Sequence, residues 1–465
     1  MPDLRAVTLS GRPTSLPAAA VSALREQHRG PVLTADDASY DAVRRVWNSM
    51  FDRRPALIAR CQDTGDVVRA VQFARDHDLL VAVRGGGHSF PGHSVCQDGL
   101  LIDLSRQKEV AVDPVQRRAR AGAGLLWGDL DRATQAYGLA VTGGQVSHTG
   151  IAGLTLGGGL GWLMRSCGLT CDNLRSATVV TADAQVLTAS PEENADLFWA
   201  LRGGGGNFGV VTTFEYALHP VGPIVLGGLI AYPFPAAGPV LRAAREYLAT
   251  APDELMITAA FLTTPDGHPA LGLALCYNGD PAAGARVTAP LRRFGPVARE
   301  QIGPLPYTAV QTMLDDAAPH GRRYYGKAGL LASLTDPAIE IMAEHFAQVP
   351  SPQSLVLLVQ MGGAVARVQP TATAFVHRQA AFAFTILSIW EDPAEDTANI
   401  AWARRFWEDL QPFTNRGVYV NELGDEGEER VHAAYGPAYP RLAALKGRYD
   451  PTNVFRLNQN IRPVD

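Results

Sequence analysis

The stretch that most restricts what this chain can fold into is residues 81–93. A short β-branched run there leads into three successive glycines, Gly85, Gly86 and Gly87, and then into His88. Glycine adopts backbone angles that other residues avoid, so a ligand can lie against the backbone amides of such a stretch. An imidazole beside a row of free N–H groups suits a large anionic cofactor that is held there and can be bonded to a ring nitrogen. A glycine-rich surface turn with an incidental histidine is the alternative interpretation.

Length and charge limit the class of the protein and its partners. A chain of 465 residues exceeds what one hydrophobic core usually organises, which predicts two or three domains. With 46% hydrophobic and 19% charged residues, the composition is typical of a soluble globular protein. Lys and Arg total 41 against 46 Asp and Glu, a formal net charge of -5, so no basic excess attracts nucleic acid.

Cysteine usage and the N-terminal residues predict the compartment. The five cysteines are odd in number and lack the paired spacing of a zinc site, which favours a reducing compartment and no metal. No basic segment leads into a long apolar stretch near the N-terminus, and no later run reaches ~18 apolar residues. We therefore expect a cytoplasmic protein without a membrane span, with export lacking a recognisable leader as the alternative.

The pattern before the first glycines predicts a small α+β unit. A strand at 56–59 precedes a helix that Asp63 caps and that runs to Arg75, and a strand at 79–83 ends in the glycines. Residues 40–50 are predicted to form a helix with Trp47 facing inward. An antiparallel pair within 110–121 and a helix at 125–137 follow.

Two further glycine-rich blocks follow. Residues 142–173 contain nine glycines in 32 positions, too many for a conventional core, so this segment is expected to follow a bulky ligand closely. The third block, residues 201–212, formally matches a dinucleotide fingerprint at Gly204, Gly206 and Gly209. That fingerprint needs a strand before it and a helix after it, whereas here a helix precedes and a strand follows. We interpret it as a third ligand-facing loop.

Composition shifts at 219–223, which predicts a domain boundary. We expect 1–220 to bind the cofactor, 221–416 to form a substrate domain, and 417–465 to return to the first domain. Apolar runs in the middle part alternate with helical stretches near 236–248, 336–347 and 394–409. This arrangement favours one antiparallel sheet covered by helices on one face, hence an α+β fold.

Three glycine blocks exceed what a mononucleotide requires, and a flavin dinucleotide is long enough to contact all three. The sequence resembles the FAD-linked oxidases of the vanillyl-alcohol-oxidase superfamily, with its PCMH-type FAD-binding fold. Within it, the chain is similar to the berberine-bridge-enzyme-like group, and most to its short bacterial members of secondary metabolism. The motifs that carry the resemblance are RGGGHSFPGHS at 84–94, VSHTGIAGLTLGGGLGWLMRSCGLTCDNL at 146–174, DLFWALRGGGGNFGVVT at 196–212 and YDPTNVFRLNQNI at 449–461.

The resemblance implies FAD bound covalently through His88 to the 8α position of the isoalloxazine. Many relatives add a cysteinyl bond, but the matching position here is Val146, so a single covalent bond is expected. His93 is expected to hydrogen-bond the backbone around the glycines, with proton transfer as the alternative, and His148 is either a cofactor contact or a structural residue. The implied cofactor-binding residues are Arg84, Gly85, Gly86, Gly87, His88, Ser89, His93, Ser94, Val146, Ser147, His148, Gly150, Gly153, Gly157, Gly158, Gly161, Asn207, Gly209, Val210, Val211, Tyr419, Asn458 and Asn460.

The sequence departs from its relatives at the position of the catalytic base. Plant relatives offer a Glu or Gln in front of flavin N5, and the matching residue here is Thr385, which has no accessible ionisation. Tyr419 and Asn421 match positions beside the flavin; a phenol with a lowered pKa could orient or deprotonate a substrate hydroxyl. Glu422 either enters the pocket or begins an acidic surface run.

A second segment of the middle domain also matches one that approaches the pocket in relatives. It contains Tyr324, Tyr325 and Lys327, and we expect Tyr325 to be catalytic and Lys327 to depress a tyrosine pKa or bind an anionic substrate. A solvated basic patch with Arg322 and Arg323 is the alternative interpretation.

The implied function is an FAD-dependent oxidase. It would take hydride from an alcohol, amine or polyketide-like substrate to flavin N5 and reduce dioxygen to hydrogen peroxide, as a monomer or homodimer. A flavin-dependent dehydrogenase and an oxygenating tailoring enzyme are alternatives within redox chemistry. A small-molecule-binding resistance protein is the alternative outside it, because Thr385 is no base.

Overall fold

The computed structural model describes residues 3–464. Within that range the strands form five sheets, of two, five, two, seven and four strands. The two-stranded sheets pair Leu4–Val7 with Pro13–Leu16 and Leu139–Ala140 with His219–Pro220. Within the same residues, no helix combines the length and apolar character needed to cross a membrane.

The four-stranded sheet positions the first glycine block. Its strands, in spatial order, are Val32–Leu33, Leu57–Arg60, Leu100–Asp103 and Val81–Arg84, and the last three are parallel. The helix Thr64–Asp76 begins where the Asp63 side chain accepts a hydrogen bond from the Asp66 N–H, which confirms the predicted cap. Because the strand Val81–Arg84 ends directly before Gly85, the glycines lie at a sheet edge.

The predicted helix over 40–50 is mostly wrong. The helix covers only Tyr40–Arg44, and Arg45 is already extended. The helix ends here because backbone groups of residues 45–47 bind the first glycine block and the strand before it. The Trp47 N–H donates to the Gly87 carbonyl at 3.1 Å, and the Arg84 side chain donates to the Arg45 carbonyl. Trp47 itself is buried, as predicted.

The five-stranded sheet carries the other two glycine blocks on its connections. It confirms the antiparallel pair at 110–121 and the helix-then-strand order around the third block, because Ala195–Leu201 is helical and Val210–Ala217 is a strand. The helix predicted at 125–137 covers Trp127–Gln135. The strands, in spatial order, are Val186–Ala189, Leu174–Val180, Val210–Ala217, Arg118–Gly122 and Val110–Asp113.

The large sheet forms the middle of the chain, and all its pairs are antiparallel. Sequence analysis did not assign its strands Arg299–Pro306 and Arg323–Leu331. The first is largely exposed, and both contain charged residues that weaken an apolar pattern. The spatial order is Arg299–Pro306, Ile224–Pro233, Pro269–Tyr277, Leu255–Thr263, Leu355–Gln360, Phe382–Trp390 and Arg323–Leu331.

The two faces of the large sheet have different neighbours. On the face we call the helix face, Phe384 and Ile386 join a core with the helices Ala237–Leu248, Asp336–Phe346 and Asp396–Leu410. On the opposite face, which we call the loop face, Thr258 accepts a hydrogen bond from Gln145 of the second glycine block. The large sheet is therefore covered by helices on one side and by the second glycine block on the other.

The C-terminal segment packs against the N-terminal half. Its helices are Glu428–Tyr435 and Tyr439–Tyr449, and buried Lys446 donates to the Asn207 carbonyl at 2.8 Å and pairs with Asp450 at 2.6 Å. The domain boundaries at 220 and 416 stay predictions. The shorter helices are Ala18–Gln27, Ile151–Gly157, Met164–Cys167, Pro281–Thr288, Tyr307–Thr312 and Ala364–Arg367.

Candidate active site

The first and second glycine blocks meet backbone to backbone. A Cβ atom on Gly86 would lie 2.4 Å from the Gly150 nitrogen, and one on Gly150 would lie 2.4 Å from the Gly86 nitrogen. Inside the second block, a Cβ on Gly161 would overlap the Gly143 carbonyl oxygen. Gly153, by contrast, is exposed, and nothing lies within 4 Å of its Cβ position. The blocks therefore hold each other closely and leave open space at Gly153.

Three histidines meet where these two blocks join the middle domain. The Nε2 atom of His88 lies 2.8 Å from Nδ1 of His148, and the His320 ring lies 5.3 Å from the His88 ring and 4.9 Å from the His148 ring. Trp47 stacks on His88 at 5.0 Å. Burial, followed by the neighbouring imidazoles, lowers the pKa of His88 well below its ordinary value, and burial also lowers the pKa of His320. His88 is thus neutral at physiological pH and nucleophilic at nitrogen.

This cluster offers more than one chemistry. One nitrogen from each ring lies within 4.8 Å of the others, which is close enough for the three to share a metal ion. His320 gave no local signal in the sequence, because it lies far along the chain from His88 and follows no recognisable motif.

The side chains of several predicted cofactor-binding residues form ion pairs or hydrogen bonds with other parts of the protein. The Arg84 guanidinium pairs with Asp103 at 2.9 Å and donates to the Val43 carbonyl, and its contact with the cofactor stays a prediction. The Asn207 amide binds the carbonyls of Gly204 and Gln459 and the N–H of Ile461. These two side chains act as structural supports.

Other predicted contacts are likewise engaged with neighbouring segments. Ser147 binds Asp315 through both its N–H and its hydroxyl, and the Ser89 hydroxyl accepts from the His93 N–H at 3.1 Å. A Cβ on Gly209 would meet Val180, and the side chains of Val210 and Val211 are buried in the core. Val146 lies partly exposed on the loop that carries His148. Burial lowers the pKa of His93 to about 4.

A third set of predicted residues has polar atoms without a protein partner. Among residues 3–464, the Ser94 hydroxyl and the side-chain oxygens of Asn458 and Asn460 are buried and accept or donate no hydrogen bond. Buried polar atoms are normally paired, so these three are explained if a polar ligand completes them. Gly206 on the third block, whose carbonyl accepts from Asn458 at 3.3 Å, has open space at its Cβ position. These residues and Gly153 are therefore candidates for contact with a bound polar ligand.

A carboxyl group lies opposite the large sheet. The Thr385 hydroxyl, on the loop face, donates to Oε2 of Glu422 at 2.8 Å. Burial raises the pKa of Glu422 to about 7, while the hydrogen bond from Thr385 acts in the opposite direction. Glu428 and Glu429, farther along the acidic run, are exposed. Glu422 therefore faces the sheet, and a group with this pKa can take or give a proton near neutrality.

Tyr419 is also buried, and burial keeps its phenol from ionising. Its hydroxyl accepts hydrogen bonds from the Gly159 N–H at 3.0 Å and from Asn421 Nδ2 at 2.7 Å. Burial raises the pKa of Tyr419, so the lowered pKa that a deprotonating phenol would need is not met and the phenol stays neutral. A Cβ on Gly157 would overlap the Asn421 side chain, and one on Gly158 would lie 3.5 Å from the Tyr419 ring. The second glycine block thus makes room for both residues.

The predicted catalytic role of Tyr325 does not fit the structure. Alternate residues of the strand Arg323–Leu331 face opposite sides, and Tyr325 packs on the helix face, where Arg404 donates to its hydroxyl at 3.1 Å. Lys327 shares that face and pairs with Glu426 at 2.9 Å. Neither side chain is directed to the loop face, and the segment is not the solvated basic patch considered as the alternative, because Lys327 is mostly buried.

Comparison with known proteins identifies the family. Family models described as "FAD binding domain" and as "Berberine and berberine like" match residues 55–190 and 418–462. An FAD-linked oxidoreductase of Dictyostelium discoideum is 34% identical over 426 residues, which cover 91% of this chain and 92% of that protein. The chain belongs to the berberine-bridge-enzyme-like FAD-linked oxidoreductases. It is an FAD-dependent oxidoreductase with the predicted α+β, PCMH-type two-domain fold.

A second relative and one solved structure agree with this assignment to the FAD-linked oxidoreductases. (R)-6-hydroxynicotine oxidase of Paenarthrobacter nicotinovorans is 30% identical over 454 residues, covering 94% of this chain and 97% of that protein. The crystal structure of 6-hydroxy-D-nicotine oxidase from Arthrobacter nicotinovorans superposes with a TM-score of 0.87 at 29% identity, covering 94% of this chain and 98% of that one. The BBE-like 1 protein of Physcomitrella patens shares the fold, with a TM-score of 0.87 at 22% identity.

The residues of this FAD-linked oxidoreductase fit its cofactor. The unpaired polar atoms of Ser94, Asn458 and Asn460 and the open space at Gly153 lie within the residues that the two family models match. Backbone amides of glycine-rich loops suit the pyrophosphate of a dinucleotide. Sequence reasoning missed His320, Gln145 and Thr258, because each lies far in sequence from the residue that it contacts.

Proposed function

We propose that this protein is an FAD-dependent oxidase that acts on a hydroxyl- or amine-bearing carbon of a small molecule, with Glu422 as the catalytic base. The observation that carries the proposal is the carboxyl group of Glu422, which Thr385 holds opposite the sheet and whose pKa is about 7. A base is most effective when its pKa lies near the working pH. Glu422 thus replaces the Glu or Gln that plant relatives carry at the position of Thr385.

The side chains divide the work as follows. The substrate hydrogen leaves carbon as hydride, with the electron pair of the C–H bond. The proton of the substrate O–H or N–H group passes to the Glu422 carboxylate, and a C=O or C=N bond forms. When bound, FAD supplies the acceptor for that hydride and the route by which two electrons and two protons convert dioxygen to hydrogen peroxide. Thr385 fixes the carboxylate, and neutral Tyr419 orients Asn421 beside the second glycine block.

Two features favour an oxidase over the alternatives. The relative of Paenarthrobacter nicotinovorans, 30% identical to this chain, is named an oxidase. The hypothesis of a small-molecule-binding resistance protein rested on the lack of a base at Thr385, and Glu422 supplies such a base. Reoxidation of dithionite-reduced holoenzyme by air separates an oxidase from a dehydrogenase without any substrate. Prompt reoxidation with formation of peroxide is expected, and slow reoxidation would indicate a dehydrogenase.

We also propose that His88 bonds covalently to FAD and that no second covalent bond forms, since Val146 replaces the cysteine of relatives. Nε2 of His88 is hydrogen-bonded to Nδ1 of His148, which leaves Nδ1 of His88 for attachment to the flavin. Burial keeps His88 neutral, the form in which a ring nitrogen can bond to carbon. A shared metal ion is the competing use of the same three rings.

Acid precipitation tests this attachment. Wild-type protein should keep its yellow chromophore in the pellet, whereas His88→Ala should release all of it while still binding FAD reversibly. His93→Ala, in the same motif, is the matched control and should keep acid-stable flavin. Flavin released from the wild type, together with one equivalent of bound transition metal, would instead assign the cluster to a metal ion.

For the setting of the enzyme, we propose a reducing compartment such as the cytoplasm, and a monomer or homodimer. All five cysteines, which lie within the described residues, are unpaired, and four of them are buried. Such thiols persist where disulfides do not form.

A further inference from the structure

The loop face of the large sheet limits what the substrate can be. We propose that the substrate is an uncharged, flat and mostly apolar ring compound that carries one hydroxyl or amine group, and that it is neither a sugar nor an anion. This proposal rests on the proposed function, because it takes the space between the sheet and Glu422 as the substrate site.

Strand register identifies the side chains that line this site. In the row that contains Thr385, hydrogen-bonded neighbours across the sheet present only small or apolar groups beside its hydroxyl. Neighbouring strands lie about 4.8 Å apart, so Ala260 is roughly 10 Å from Thr385, the width of a two-ring system. The members of the row are Ala328, Thr385, Leu357, Ala260, Gly272 and Ala231.

The next row along the strands packs into a core with Trp162, Phe375 and Tyr419, so it closes the site on this side, and it is equally poor in polar groups. It contains one further hydroxyl, that of Thr258, which already accepts a hydrogen bond from Gln145 at 2.6 Å. The members of this row are Leu330, Ala383, Val359, Thr258, Ala274 and Leu229. A sugar needs a partner for each of its hydroxyl groups, since an unpaired polar group costs free energy on burial. These two rows offer no such set.

On the sheet side, the polar capacity of the site is therefore concentrated at one point. Thr385 binds Oε2 of Glu422, which leaves Oε1 for one hydrogen-bond donor of the substrate. Leu357 and Ala260 remain partly exposed, as expected for a wall that a ligand covers. Of the row, these two partly exposed residues can contact a ring, Ala260 as a small side chain and Leu357 as an apolar one.

Charge excludes an anionic substrate. Neither row contains Lys, Arg or His, and Lys327 lies on the helix face in an ion pair with Glu426. An anion would face the Glu422 carboxylate with no cation from these rows to offset the repulsion. A neutral hydroxyl or amine is compatible with a group that accepts one proton.

Binding of probe molecules to the oxidised holoenzyme tests the proposal. The probes are 2-naphthalenemethanol, 2-naphthoate and cellobiose, and the readout is the change in the flavin absorption spectrum on titration. We expect 2-naphthalenemethanol to bind at least about tenfold more tightly than 2-naphthoate, and cellobiose to give no change. Ala260→Phe fills the row and should weaken binding of 2-naphthalenemethanol about tenfold or more, whereas Tyr325→Phe, on the opposite face, should not alter it.

Leu357→Gln serves as a second variant if Ala260→Phe does not fold; it adds polar atoms to the wall and should also weaken binding. Tighter binding of cellobiose or 2-naphthoate would overturn the proposal. So would the absence of any spectral change with 2-naphthalenemethanol up to its solubility, or variants that bind it as the wild type does. Failure of the proposed oxidase function is seen separately, in slow reoxidation of dithionite-reduced enzyme.

Discussion

The two faces of the large sheet use the same strands for different purposes. On the helix face, bulky residues such as Phe384 and Ile386 interlock with three helices, and Tyr325 is bound by Arg404. On the loop face, small residues prevail, and Thr385 and Thr258 are bound by groups from other segments. The sheet thus forms a wall of the site, whereas the reactive groups, Glu422 and the cofactor-binding motifs, belong to segments outside the sheet.

Replacing Glu422 should give the largest effect. Glu422→Gln keeps the shape and the hydrogen bond from Thr385 but removes the base, so kcat/KM should fall by about 10²- to 10⁴-fold. In the wild type the base form appears as pH rises through about 7, so kcat/KM should rise with pH around that value. Steady-state rates across pH 5 to 9 measure both.

The pH profile distinguishes a base from a structural residue. Glu422→Gln should lose the rise near pH 7 while binding FAD in the wild-type amount. If the variant keeps more than about a tenth of the wild-type rate and the same profile, the base lies elsewhere.

Thr385→Val should have an intermediate effect. Its hydroxyl lowers the pKa of Glu422 by binding the charged form, so its removal should move the rise of kcat/KM to higher pH. At pH 7 the rate should fall by roughly three- to tenfold and recover at pH 9, since each pKa unit changes the base fraction by up to about tenfold. A loss that is equal at all pH values would show that Thr385 acts only through packing.

Tyr325→Phe should have the smallest effect, because it removes a hydroxyl on the helix face. The change in kcat/KM should stay within about twofold, and stability should fall by about 0.5 to 1.5 kcal/mol through loss of the bond from Arg404. Parallel assays of activity and thermal unfolding check this. A large loss of activity with unchanged stability would restore the catalytic role that the resemblance suggested.

The parts that sequence could predict are local. The glycines at 85–87, His88 and the cap at Asp63 lie within a few residues of the elements that they shape, and their pattern indicated the cofactor and the fold. The pair formed by Thr385 and Glu422 spans 37 residues and depends on how the C-terminal segment packs on the sheet. Sequence reasoning therefore left the role of Glu422 undecided.

The error at Tyr325 has a different physical origin. In a strand, a shift of one residue moves a side chain to the other face, and no strand was assigned to residues 323–331. Without the register, the resemblance could locate the segment near the pocket but could not tell which of Tyr324 and Tyr325 faces it. The pair Tyr324 and Ile389 places Tyr324 on the loop face, beside Trp47.

The contact between Gly86 and Gly150 also constrains how the enzyme can evolve. Each glycine excludes a side chain on the other, so neither motif can accept a substitution at this point while the other stays in place. A first replacement by alanine forces the two blocks apart, and a second then meets a gap already opened. The two losses should accordingly be far from additive, and the two motifs should be inherited as one unit, although 64 positions separate these glycines.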